Sequence, residues 1–266
     1  MRIALGIEYD GTAYNGWQRQ KTGIGVQSRV DDAITRVADE PVETVCAGRT
    51  DTGVHASGQV VHFDSTAERT RRGWLLGVNG YLPGDININW AAFVDDEFNA
   101  RFSATSRTYR YLILNRRVRS ALQRTRAWWV YEPLDERSMQ QATETLLGKH
   151  DFSAFRAAGC QASTPIREIS SFQVNRTGDW LSLTVTANAF LKHMVRNIAG
   201  LLVAIGKGDQ EPGWAESVLE GLDRAYGGVT APPYGLTLVD VEYPEQCKIP
   251  RGSDPSVPGF VYDASL

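Results

Sequence analysis

The chain has 266 residues, 42% of them hydrophobic and 22% charged, and a formal net charge of −3. It is long enough for one large domain or two of ordinary size, and its composition is that of a soluble globular protein. No apolar run approaches the ~20 residues a membrane helix needs. The slight acidity counts only weakly against nucleic acid, because binding follows local charge.

The opening residues Met1–Leu5 enter a strand-like pattern at once, which predicts that no signal peptide is cleaved. Strand Arg2–Tyr9 leads to an amphipathic helix over Val26–Ala38, with Val26, Val30, Ile34 and Val37 at helical spacing. Strands follow at Val42–Ala47 and Gln59–Asp64, then a helix at Thr70–Tyr81 and a strand at Ile86–Val94. The order is β-α-β-β-α-β.

The second part repeats it. Thr108–Asn115 is a strand, and the short strand Ala127–Tyr131 is an addition. Leu134–Leu147 reads as a helix stopped by Gly148. Ile166–Arg176 and Trp180–Asn188 form a hairpin across Thr177-Gly178-Asp179. A long apolar helix covers Phe190–Ile205, a short one Gly213–Leu222, and Leu236–Tyr243 closes as a strand. This predicts an α+β chain of two similar, ferredoxin-like or RRM-like halves, joined through a mainly antiparallel sheet with a cleft where they meet. The first half covers 1–105, the second 106–244, and an irregular tail 245–266.

Chemistry is concentrated at Gly48-Arg49-Thr50-Asp51-Thr52-Gly53. The two strands around this loop hold a carboxylate on rigid elements, and a nearby guanidinium keeps it ionised. Asp51-Thr52-Gly53 is also the aspartic-protease tripeptide, but that chemistry needs two carboxylates sharing a proton and no second copy exists. Gly200 to Gly208 imitates a phosphate loop with the wrong spacing, on an apolar helix. His55, His62, His150 and His193 are scattered, and no dinucleotide fingerprint follows a strand, so neither a metal nor a nucleotide cofactor is expected. Cys46, Cys160 and Cys247 are odd in number and far apart, which suits a reducing, cytoplasmic location.

Two features point to RNA. Arg101–Arg126 carries eight arginines and no acid, a basic face on an acidic protein, where the plainer reading is a solvated hairpin. On strand Thr108–Asn115, Tyr109 and Tyr111 share one face and Arg110 points to the other. Rings beside arginines suit base stacking and phosphate clamping, although core tyrosines would look the same. Arg196 sits inside an apolar helix, where burial requires a partner such as Asp51, unless its head reaches water.

Together these pieces resemble the tRNA pseudouridine synthase A family, from Ile3 to about Pro244. The marks are Glu8-Tyr9-Asp10-Gly11, Gly16-Trp17-Gln18-Arg19-Gln20, Gly48-Arg49-Thr50-Asp51, Arg101-Phe102-Ser103-Ala104, Arg107-Thr108-Tyr109-Arg110-Tyr111, Asn188-Ala189-Phe190, His193-Met194-Val195-Arg196-Asn197 and Ala231-Pro232-Pro233-Tyr234-Gly235-Leu236. Thr52 and Tyr234 depart slightly from the family pattern. The resemblance implies isomerisation of uridine to pseudouridine at tRNA positions 38, 39 and 40, by a homodimer without cofactor or metal. It implies Asp51 as the catalytic carboxylate, Tyr109 for base stacking and Arg196 for an ion pair. Arg49 would assist nucleotide flipping and Leu236 would line the uracil pocket, with Arg107 and Arg110 also contacting substrate. The competing classes are a non-catalytic RNA-binding protein with RRM-like halves, which leaves the arginine–aspartate loop unexplained, and a small-acid enzyme, which leaves the arginine run unexplained.

Overall fold

A computed structural model describes residues 1–250 and divides the chain into two compact units. Within the described residues, the first is Met1–Arg107 together with 238–250, and the second is Thr108–Thr237. Within the described residues the chain therefore changes unit twice, each time after the second residue of a strand.

Unit 1 contains β1 (Arg2–Tyr9), α1 (Val26–Ala38), β2 (Val45–Cys46), β3 (His55–Asp64), α2 (Arg71–Asn79) and β4 (Ile86–Val94). β1 lies between β3 and β4, antiparallel to both, and β2 pairs antiparallel with β3. Ile3, Leu5 and Ile7 of β1 are fully buried, as are Ile34 of α1 and Trp74 of α2. Trp74 meets Phe63 edge-on at 5.2 Å. Each such side chain contributes roughly 1.5–3 kcal/mol by leaving water. Thr70 caps α2 by accepting the Gly73 N–H at 3.0 Å.

Unit 2 contains β5 (Ser106–Asn115, from Thr108 on), β6 (Trp128–Val130), α3 (Glu136–Glu144), β7 (Gly148–Asp151), β8 (Ile166–Thr177), β9 (Trp180–Ala187), α4 (Met194–Gly206) and α5 (Trp214–Gly221). Its strands run in the order β5-β9-β8-β7, with β6 parallel to the end of β5. The β8–β9 hairpin turns through Gly178 at φ 56°. Every residue of α4 is buried except Arg196 and Ala204.

The fold is α+β, and the expected β-α-β-β-α-β order holds in unit 1. Unit 2 keeps the order as far as α4, with β6, β7 and α5 added. β10 (Leu236–Glu242) departs from the expected division: from Leu238 it belongs to unit 1, beside β3, so the second half is not the continuous 106–244 stretch. Gly58 lies so near Val239 that a Cβ would come within 2.2 Å of its carbonyl oxygen. Of the tail, residues 245–250 hold one short turn, Glu245–Cys247, and residues 251–266 fall outside the described ones.

Local differences have local causes. β2 is two residues long, not six, because Asp31 of α1 takes both the N–H and the hydroxyl of Thr44, at 3.1 and 2.7 Å. α4 begins at Met194, not Phe190, since His193 adopts φ 61° and breaks the helical run. Gly148, at φ 90°, opens the unforeseen β7, whose polar Gly-Lys-His-Asp sequence lacks any apolar alternation.

Candidate active site

Asp51 lies on the loop between β2 and β3, half-buried, with Arg49 exposed before it and Thr50 buried between them. Backbone bonds fasten this loop from several directions. At its entry the Ala47 N–H donates to Val60 at 2.8 Å. The Gln59 side chain brackets Gly48, donating to its carbonyl at 2.7 Å and accepting its N–H at 3.3 Å. At its exit the Val54 N–H returns to the Asp51 carbonyl at 3.1 Å, and Gly53 adopts φ 77°.

Residues 14–19 form a strap along the same loop. The Trp17 N–H donates to the Thr50 carbonyl at 3.0 Å, and the Gly53 N–H donates to the Tyr14 carbonyl at 3.3 Å. Gly16 has φ +88°, and a Cβ there would come within 2.6 Å of the Thr50 oxygen and 3.1 Å of the Asp51 carbonyl carbon. Only glycine allows that approach. The Tyr9 hydroxyl adds a 2.7 Å bond to the Thr50 hydroxyl.

The outer edge of the strap is tied to α1. The Val26 and Gln27 N–H groups donate to Gly16 and Trp17 at 3.1 and 2.9 Å. The buried Gln27 amide accepts from Gln18 and from the Arg19 N–H, and donates to the Thr44 carbonyl. Buried Asp31 pairs with Arg19 at 3.1 Å while holding Thr44. Burial pushes the Asp31 carboxyl up to about 6, outweighing the opposing Thr44 bonds and the Arg19 charge.

Arg107, expected from the sequence to contact substrate, has other partners in the structure. It is buried, and its guanidinium donates to three backbone carbonyls: Ala47 at 3.1 Å, Ala104 at 3.2 Å and Arg101 at 2.5 Å. A guanidinium spread over carbonyls is a structural brace, here at the root of the Asp51 loop. Nearby, burial pushes the Cys46 thiol up to about 12, and the charges of Arg49 and Arg101 pull against that rise.

In unit 2, Tyr109 is buried edge-on against Phe190, with ring centres 5.1 Å apart. Arg110, on the opposite face of β5, is half-buried. Arg196 is half-buried on α4, and its Nε donates to the Ala231 carbonyl at 2.9 Å while the Ala231 N–H returns to the Arg196 carbonyl at 3.1 Å. The Tyr111 hydroxyl donates to the Pro232 carbonyl at 2.8 Å, and burial holds its pKa well above the usual phenol value. Leu236, at the start of β10, is buried. Arg196, Tyr109, Tyr111 and Leu236 thus sit on three elements of one unit that the 231–236 segment ties together.

A family profile described as tRNA pseudouridine synthase matches residues 6–103 and 142–244. The chain belongs to the tRNA pseudouridine synthase family. It is 53% identical over 250 residues to "tRNA pseudouridine synthase A" of Coxiella burnetii (strain Dugway 5J108-111), covering 94% of this chain and 96% of that one. Proteins of the same name from Pseudoalteromonas atlantica and Nitrosococcus oceani are each 52% identical, over 94% and 96% of this chain and 95% and 98% of theirs. Asp51, Arg49, Arg196 and Leu236 lie inside the stretches that the family profile matches, whereas Arg107, Tyr109 and Arg110 lie between them.

Among the described residues, no three of His, Cys, Asp and Glu gather as a metal-binding group. No described helix is long and apolar enough to cross a membrane. Sequence reading missed the residues that hold the Asp51 loop: Tyr9, Gly16, Trp17, Gln27, Asp31 and Gln59. The first three stand in quoted motifs, but nothing in the string says that Trp17 meets Thr50. Asn197 was missed too. Fully buried, it donates to Phe155 at 2.8 Å and accepts from Arg224 and Thr230 at 3.0 and 2.7 Å, fixing α4 to the chain ahead of Ala231.

Proposed function

We propose that this protein isomerises uridine to pseudouridine in tRNA, at positions 38, 39 and 40 of the anticodon stem-loop, with Asp51 as the reacting carboxylate and no cofactor. The observation that carries the reading is the Asp51 loop: a carboxylate on backbone clamped from both sides, in a chain more than half identical to proteins named tRNA pseudouridine synthase A. Pre-set geometry of this kind is what a side-chain-only reaction requires.

The reaction breaks the bond from N1 of uracil to C1′ of ribose and makes a bond from C5 to C1′. A proton leaves C5 and one arrives at N1, so nothing is oxidised and no co-reactant is consumed. Asp51 serves either as a nucleophile on sugar or base, or as the base that removes a ribose C2′ proton to give a glycal. The uridine must first leave its stack, at a cost of a few kcal/mol. Stacking on an aromatic ring returns roughly 1–3 kcal/mol, and Tyr109 has that role. Arg49 assists nucleotide flipping and holds the loop, Arg196 supplies an ion pair, Leu236 lines the uracil pocket, and Arg110 meets phosphate. Two copies of the chain act together in the cytoplasm.

The test is to incubate purified protein with unmodified tRNA, without added metal or nucleotide, and resolve the nucleosides. Pseudouridine is expected at the three positions, and Asp51→Asn lowers its rate by on the order of 10³-fold or more with the fold intact. Tight binding without product would make the protein a binder only. Unchanged turnover in the Asn variant would remove Asp51 from the chemistry. A rate effect from deuterium at C2′ selects the base route over the nucleophile.

A further inference from the structure

The segment between β5 and β6 is a loop of residues 116–127, long for a connection without a helix and outside both stretches that the family profile matches. β6 is fixed to β5 in parallel, and the Trp129 indole N–H donates to the Arg116 carbonyl at 2.8 Å, which closes the root of the loop. The loop carries Arg116, Arg117, Arg119, Arg124 and Arg126 and no acid.

The cations around this root are neutralised. Arg116 faces Asp179 at 3.9 Å, Arg176 pairs with Glu136 at 2.8 Å and Lys207 with Glu132 at 2.9 Å. Farther along the loop the pattern stops. Arg117, Arg119 and Arg124 are exposed and have no ion-pair partner among the described residues. Val118 and Leu122 are 70% and 87% exposed, and Trp129 and Tyr131, also exposed, stand with ring centres 6.4 Å apart. Uncompensated like charge destabilises the folded state and is ill suited to a merely solvated loop, which mixes signs. It is what a polyanion needs, and exposed rings beside arginine suit nucleic acid better than an acidic protein.

We propose that the 116–127 loop is a grip for the tRNA phosphate backbone, supplying affinity and not chemistry. This rests on tRNA being the substrate, as proposed above. Three released arginine–phosphate contacts have a defined signature, because each contributes about 0.7–0.9 to the slope of log affinity against log salt.

The experiment measures tRNA binding by anisotropy across a potassium chloride series, with pseudouridine formation at saturating tRNA. The triple variant Arg117→Ala, Arg119→Ala, Arg124→Ala is expected to show a slope shallower by about 2–3, with kcat within about twofold of wild type. The matching triple lysine variant keeps the slope, which separates charge from damage to the loop. An unchanged slope in the alanine variant overturns the proposal, as does loss of kcat at saturation. So does a Leu122→Ser variant that separates copies of the chain in sedimentation while the alanine slope stays at the wild-type value, since the loop is then a subunit contact. Binding of wild type to anionic phosphatidylglycerol vesicles with an unmoved tRNA slope would assign the loop to a lipid surface instead. A shallower slope in a protein that makes no pseudouridine sinks the enzymatic reading and leaves the grip standing.

Discussion

Replacing Gly16 with alanine tests whether the strap sets the position of Asp51. The new Cβ would sit 2.6 Å from the Thr50 carbonyl oxygen, where ordinary contact begins at 3.4 Å, so the loop must give by about 0.8 Å. The atoms in the way are backbone, belonging to Thr50, Asp51 and Thr52, and no side-chain rotation relieves them. Holding alanine at φ +88° costs about 1–2 kcal/mol and the overpacking about 1–3 more. A displacement near 1 Å at reacting atoms lowers rates by on the order of 10²-fold. Release of tritium from C5 of labelled uridine in tRNA, measured at saturation, is therefore expected to fall about 10²-fold in kcat with little change in KM. Gly178→Ala is the control: it has positive φ, 56°, but nothing within 4 Å of its Cβ, so it pays only the backbone strain and keeps kcat. Equal turnover in Gly16→Ala and wild type, with the fold retained in both, would show that residues 14–17 do not set the carboxylate.

Asp31→Asn should reveal the buried carboxyl through pH. A pKa raised from 3.8 to about 6 means that between about pH 4 and 6 the native state holds a proton that the unfolded chain has lost. Wild-type stability relative to the variant therefore falls as pH rises from about 4 to about 6, by on the order of 3 kcal/mol, or roughly 6–12 °C in the Tm gap. A gap that does not move between pH 4 and 7 would mean an ordinary carboxyl. Arg107→Met removes the donor from three carbonyls and should cost about 3 kcal/mol or more in stability. Its salt slope for tRNA should match wild type, and a shallower slope would return Arg107 to the substrate.

Most of the fold was legible because its elements announce themselves by period. Val26, Val30 and Ile34 mark α1, and the alternation from Ser106 to Asn115 marks β5 with Tyr109 and Tyr111 on its buried face. What stayed hidden depends on partners far along the chain. β10 reads as a strand, but its period does not say that from Leu238 it belongs beside β3. β2 is short because Asp31, thirteen residues earlier, competes for Thr44. α4 loses its first turn to one positive φ at His193, which the apolar residues on either side, Phe190-Leu191 and Met194-Val195, do not announce.

The same distinction separates Asp51 from the residues that hold it. An aspartate between an arginine and a glycine is visible as chemistry, whereas most of its supports bond to backbone carbonyls and N–H groups, which the sequence does not single out. Arg107 shows the difference most sharply. As a letter beside Tyr109 it suggests a phosphate contact; as a buried side chain bonded to Ala47, Ala104 and Arg101 it is a brace. A guanidinium committed to three carbonyls would have to abandon them to meet RNA, leaving buried acceptors unpaired at about 1–3 kcal/mol each. A single solvated phosphate contact returns less than that, whereas Arg117, Arg119 and Arg124 are exposed and have no ion-pair partner among the described residues.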